Sequence, residues 1–191
     1  AVGHLRAVLD EGAGDKDALA FLDAIFTRDE RHADLLEVLD ARAAGESSAA
    51  ARDDLALRAA RLTEVELGDV EGAIARYQKI LGGSPQNAGA REALATIARG
   101  TDYRSSAVAA LEPVLRAAKD WAGVVELLEL RLAIEDAGAE RLATLAEIAR
   151  IEEIERRDTR RAFDAWARAL TEEGTAEAIE VARCTPGLAG F

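Results

Sequence analysis

Residues able to do chemistry are few and scattered in this chain. Its two histidines are His4 and His32, and its single cysteine is Cys184. Asp29 and His32 make one acid-x-x-His spacing, which a di-metal helix bundle needs twice together with further glutamates, so His32 reads as a packing residue at a helix start. Cys184 has no histidine near it in sequence; a buried structural thiol is the better reading, with pairing to the distant His4 or His32 left open. Glu152, Glu153 and Glu155 crowd together as acid–base catalysis would require. Arg156 and Arg157, however, stand four residues after the first two, the favourable spacing for ion pairs along a helix. A solvated helical face, with Glu152 bridged to Arg156 and Glu153 to Arg157, is the preferred reading. Gly12, Gly14, Gly82 and Gly83 lack the preceding strand and the Lys-Ser/Thr pair of a phosphate loop and read as turn punctuation. No catalytic residue, cofactor or metal is expected.

Composition says which scaffold would have to position any site. The 191 residues carry 36 acidic and 24 basic side chains, a formal net charge of -12, with 4% aromatics and three prolines. Ala, Leu, Glu, Arg and Asp dominate, and because the straight-chain residues among them lose little rotamer freedom in helices, an all-α fold follows. The acids are spread along the chain. Such a surface repels phosphate backbones and anionic lipid, so neither nucleic acid nor direct membrane insertion is expected. One cysteine permits no internal disulfide and marks no oxidising compartment; compartment stays open, with a slight preference for the cytoplasm. The chain has no Met and begins within a helical pattern, so it reads as an excerpt of a longer product.

An internal duplication organises the chain. Shifted by 89 residues without a gap, 31–81 matches 120–170 with 15 identities in 51 positions, among them Ala33/Ala122, Glu37/Glu126, Leu39/Leu128, Arg42/Arg131, Asp69/Asp158 and Ala73/Ala162. Leu35/Val124, Leu62/Ile151, Ile74/Phe163 and Tyr77/Trp166 are similar pairs in the same register. Apolar residues recur at helical spacing, as in Leu35, Val38 and Leu39. The pattern predicts about ten helices over 2–10, 16–28, 31–44, 50–67, 70–82, 86–99, 103–118, 121–134, 139–156 and 159–172, with a weaker turn of helix near 176–183. Asp69, Asp120 and Asp158 are placed to cap helices, and Pro85 to enter a first turn. The expected organisation is a single elongated repeat domain with halves 1–89 and 90–178 and a tail 179–191.

The stretch Asp54 to Asn87 resembles a tetratricopeptide repeat, a helix-turn-helix unit of about 34 residues. Its turn reads Gly68-Asp69-Val70-Glu71-Gly72. Ala73 takes the small-residue place where two helices cross, Tyr77 the aromatic place and Pro85 the closing proline. Leu57 and Ala60 stand in for larger apolar residues in the first helix, and Arg61 for a small one. Ala143 to Ala176 repeats the pattern with Asp158, Ala162 and Trp166, Gly174 replacing the proline. Looser units run from Lys16 to Ala49 and from Ser105 to Gly138, with Leu35 and Val124 at the crossing place. The resemblance implies a right-handed α-α superhelix of antiparallel helices, in which each hairpin touches only its neighbours.

In the family resembled, first helices line a groove that receives a partner segment. By position, Arg58, Leu62, Val65 and Glu66 would face it in one half, and Glu147, Ile151, Ile154 and Glu155 in the other, although the four apolar residues could equally fill the core. The clamp that some members use for a C-terminal carboxylate is absent, its places holding Ala20, Ala24, Arg58, Leu62, Ala109, Pro113, Glu147 and Ile151. A non-catalytic scaffold for a protein or peptide partner is therefore the expectation. Self-assembly through uncovered terminal helices, with Val2, Leu5, Val8 and Leu9 at one end, is the alternative.

Overall fold

The computed structural model describes residues 16–100, 102–136 and 138–173. The predicted helix at 2–10 and the turn at 176–183 lie outside them, as do His4, Gly12, Gly14 and Cys184. The described residues form nine helices and no strand: α1 Lys16–Arg28, α2 His32–Ala44, α3 Ala49–Val65, α4 Val70–Gly83, α5 Ala88–Arg99, α6 Arg104–Ala117, α7 Trp121–Leu132, α8 Ala139–Arg150 and α9 Thr159–Glu173. A π-helical turn, Ile151–Glu155, continues α8. The chain divides into two compact units, Ala1–Ile97 and Ala98–Phe191, the division falling inside α5.

In the first unit α1 packs on α2, α2 on α3 and α3 on α4. Leu19, Phe26, Leu35, Val38, Leu39 and Ala59 form one core cluster, with Leu22, Ile25 and Leu62 packed against it. On α4, Ala73, Tyr77 and Leu81 are buried at spacing four, the stripe an amphipathic helix turns inward. Gly89 brings α5 close to α3: a Cβ there would lie 2.5 Å from Cδ2 of Leu57. The second unit repeats the order, α6 on α7, α7 on α8 and α8 on α9. Val124, Leu128 and Leu145 are fully buried, and Trp166 nearly so.

Helix starts follow local chemistry. Asp69, Asp120 and Asp158 each accept a hydrogen bond from the amide three residues on, at 2.8, 3.1 and 3.0 Å, which satisfies donors that have no helical partner. The start of α5 differs from expectation. Pro85 lies in the turn before the helix rather than in its first turn, and Asn87 caps the start at Ala88 by accepting from the Ala90 amide at 3.0 Å, because an Asx side chain reaches the open amide.

Backbone detail follows the 89-residue register. Glu30 and Lys119, at φ 53° and 56°, occupy equivalent left-handed positions, and so do Gly68 and Arg157, at 66° and 56°. Each ends a helix. The amide of Arg31 closes on the carbonyl of Phe26 as Asp120 does on Leu115, and Asp69 closes on Thr63 as Asp158 does on Glu152. The two units therefore share their turns, not only their helices. Arg157 takes up a conformation that a glycine serves at less cost in the first unit.

Candidate functional site

Of the eight positions expected to face a partner, the structure places four at the surface outside the core and the networks that join three helices. Val65 and Ile154 are equivalent in register and are 70% and 66% exposed. Glu66 and Glu155 beside them are exposed, Glu66 with one oxygen 3.7 Å from Nε2 of His32. Leu62 packs against the core of the first unit, and Ile151 is buried in the second. Both sit one turn inward of the exposed pair, so each helix carries an inward and an outward apolar residue.

Arg58 and Glu147 are held in ion-pair networks. Asp23 of α1 is buried; it accepts from Nη1 of Arg58 at 2.7 Å and from Nη1 of Arg42, and from the Thr27 hydroxyl at 3.2 Å. Arg58 also donates to Thr27 at 2.9 Å. In the second unit Glu112 stands for Asp23 and Arg131 for Arg42. Arg116 donates to Glu112 and to Glu147, both at 2.7 Å, while Arg131 approaches Glu112 at 3.4 Å, Glu147 at 3.5 Å and Glu135 at 3.2 Å. Each network ties three successive helices together. Burying a carboxylate is costly unless guanidinium groups match it, and here they do. Asp23 and Glu112 were not singled out in sequence; their signal is that an acid recurs in register with the Arg42/Arg131 identity.

The acidic cluster at the end of α8 departs from the expected solvated face. Glu152 is only 2% exposed and pairs with Arg156 at 2.5 Å. Glu153 is not bridged to Arg157, and its Oε2 is buried without a hydrogen-bond partner. The π-helical turn widens the chain here, and the left-handed conformation of Arg157 takes its side chain off the helical spacing that the pair needs. At equivalent positions in the first unit, Thr63 is buried and donates to the Ala59 carbonyl at 2.8 Å, and Tyr77 donates to Oε2 of Glu64 at 2.6 Å. Burial, then the bond to Glu64, raises the Tyr77 phenol well above its ordinary 10.0. Trp166, the counterpart of Tyr77, leaves Nε1 buried and unpartnered.

A cleft of about 760 Å³ opens in the first unit between the end of α2, the start of α3 and the end of α4. Its α3 residues, Arg52, Asp53 and Ala56, point roughly opposite to Arg58, Leu62 and Val65, given about 100° of rotation per residue. The cleft and the expected partner face thus use different sides of one helix. Among the described residues no group of three or more His, Cys, Asp or Glu is placed to hold a metal ion. No described helix is long and apolar enough to cross a membrane. In comparisons with known proteins, no family model, curated protein or solved structure matches this chain.

Proposed function

We propose that the chain is a non-catalytic scaffold that binds a partner protein or peptide along a repeated helical face, its hairpins stacking in the manner of the tetratricopeptide-like superhelix that its turns resemble. One observation supports this reading above the others. An aliphatic side chain that could have been buried is instead left in solvent at the same place in both units, Val65 and Ile154, each beside an exposed glutamate. Apolar anchors supply most of the affinity at protein interfaces, and neighbouring charges set register and on-rate. Arg58 and Glu147 then serve the face indirectly, by holding α3 and α8 in place.

The reading is tested by selecting peptide ligands from a displayed random library on the full chain and measuring affinity by fluorescence anisotropy. Val65→Ser combined with Ile154→Ser is expected to weaken the ligands of this face about tenfold or more without lowering the melting temperature. A library that yields no ligand whose binding depends on these two side chains would contradict it. A second reading, self-assembly, draws on α9, where Phe163 and Leu170 are 61% and 38% exposed although their counterparts Ile74 and Leu81 are buried. Light scattering over a concentration series separates the two. A monomer at every concentration excludes self-assembly, and association lost on Phe163→Ser supports it.

A further inference from the structure

The cleft in the first unit acquires meaning from what stands at the same places in the second. Ala43, Ala56 and Gly83 line it. In register, Leu132 and Leu145, both buried, replace the two alanines, and Glu172 replaces the glycine. Arg52 corresponds to Arg141, whose Nε donates to Glu172 at 2.6 Å and whose Nη1 donates to the Leu132 carbonyl. Lys79 corresponds to Arg168, which grips Glu129 with two bonds of 2.6 and 2.9 Å. The second unit therefore fills this place with its own leucines and matches both cations with its own carboxylates.

The first unit has the cations without the filling. Asp40, the counterpart of Glu129, is taken by Arg76 through bonds of 2.7 and 2.8 Å. Lys79 is exposed and has no ion-pair partner among the described residues. Arg52 donates to the Glu46 carbonyl at 2.9 Å, a neutral acceptor that leaves its charge unmatched. Asp53 is the one further acid lining the cleft. With Arg76 and Asp40 cancelling, Arg52 and Lys79 against Asp53 leave the cleft net positive on a chain whose net charge is -12. Gly83 has open space around it, nothing lying within 4 Å of a Cβ built there, so a carboxylate has room where Glu172 sits in the second unit.

We infer that this cleft is a second interaction surface, distinct from the repeated face, and that it receives an acidic-aliphatic segment of a partner protein. A carboxylate of that segment meets Arg52 and Lys79 as Glu172 meets Arg141, and a leucine-sized side chain enters the space that Leu132 and Leu145 occupy in the other unit. The second unit displays the recognition internally; the first is its open form. Electrostatic matching of this kind governs partner choice and on-rate, and a leucine-sized anchor in a preformed recess supplies affinity.

The test is selection from a displayed random dodecapeptide library on the full chain, followed by anisotropy measurements with chemically made peptides. Peptides pairing Asp or Glu with Leu or Ile are expected to be enriched. Ala43→Leu, which fills the recess as the second unit does, and Lys79→Glu, at an exposed position that leaves folding intact, should each weaken them about tenfold. Lys79→Arg should retain them. Val65→Ser with Ile154→Ser should leave them unaffected; if that pair abolishes binding instead, the peptides belong to the repeated face and the cleft proposal fails while the scaffold reading stands. Enrichment of basic or uncharged peptides only, or equal affinity for the Lys79→Glu chain, overturns the proposal. So does displacement by free glutamate at low concentration, which would make the cleft a small-anion site, or a dimer lost on Ala43→Leu, which would make the occupant a second copy.

Discussion

The two units solve one packing problem with different charges. Where three helices meet, the first unit buries Asp23 beneath Arg42 and Arg58, and the second balances Glu112 and Glu147 against Arg116 and Arg131. Position 58 is cationic and its counterpart 147 anionic, yet both bind toward the first helix of their unit, because Thr27 in one becomes Arg116 in the other. The geometry of the junction persists while the sign at one vertex changes. Two copies of one hairpin pair can thus keep their fold and present different surfaces. The cleft is the clearest case, open where alanines and glycine stand and filled where leucines and a glutamate do.

Breaking matched positions sharpens this contrast. The largest effect is expected from Arg156→Ala, which leaves the buried Glu152 without its counter-ion and should cost about 3–5 kcal/mol in urea unfolding. Its counterpart Leu67→Ala touches a residue 39% exposed and should cost well under that, about 1 kcal/mol. Next, Arg42→Ala removes one of two guanidiniums from Asp23 and is expected to cost on the order of 3 kcal/mol. Arg131→Ala should cost less, since Arg116 continues to serve both Glu112 and Glu147 and all are more exposed than Asp23.

A smaller effect belongs to the Tyr77 hydroxyl. Tyr77→Phe removes its bond to Glu64 and should cost about 1 kcal/mol. The folded phenol titrates above its ordinary 10.0, so its contribution is complete below pH 10.0 and is lost as pH rises beyond it, when only the unfolded chain ionises readily. Alkaline unfolding that is steeper in the parent chain than in Tyr77→Phe checks the sign. The smallest stability change is expected for Val65→Ser or Ile154→Ser, within about 0.5 kcal/mol, because neither side chain leaves a core.

Much of this architecture was legible in the sequence, for identifiable reasons. Helical periodicity and the duplication put a helix at 16–28 where Lys16–Arg28 is found, and started others at 70, 121, 139 and 159, as observed. Asp69, Asp120 and Asp158 announced their caps because an Asp before a helical stripe has one dominant use. Of the eight residues proposed for the partner face, periodicity identified the helices but could not assign side: a one-turn offset separates buried Ile151 from exposed Ile154. The burial of Glu152 escaped because its spacing to Arg156 is the same for a surface pair and a buried one, and a π-helical turn has no periodic signature. The cleft escaped for a different reason. Ala43, Ala56 and Gly83 are unremarkable helix residues until set beside Leu132, Leu145 and Glu172.

The most direct test of the scaffold reading is amide hydrogen exchange on the full chain, with and without a library-selected peptide whose binding depends on Val65 and Ile154. Added protection at the C-terminal turns of both α3 and α8, around 62–67 and 151–156, is the predicted result. Protection confined to the interior of one unit, with both turns exchanging as in the free chain, would contradict it.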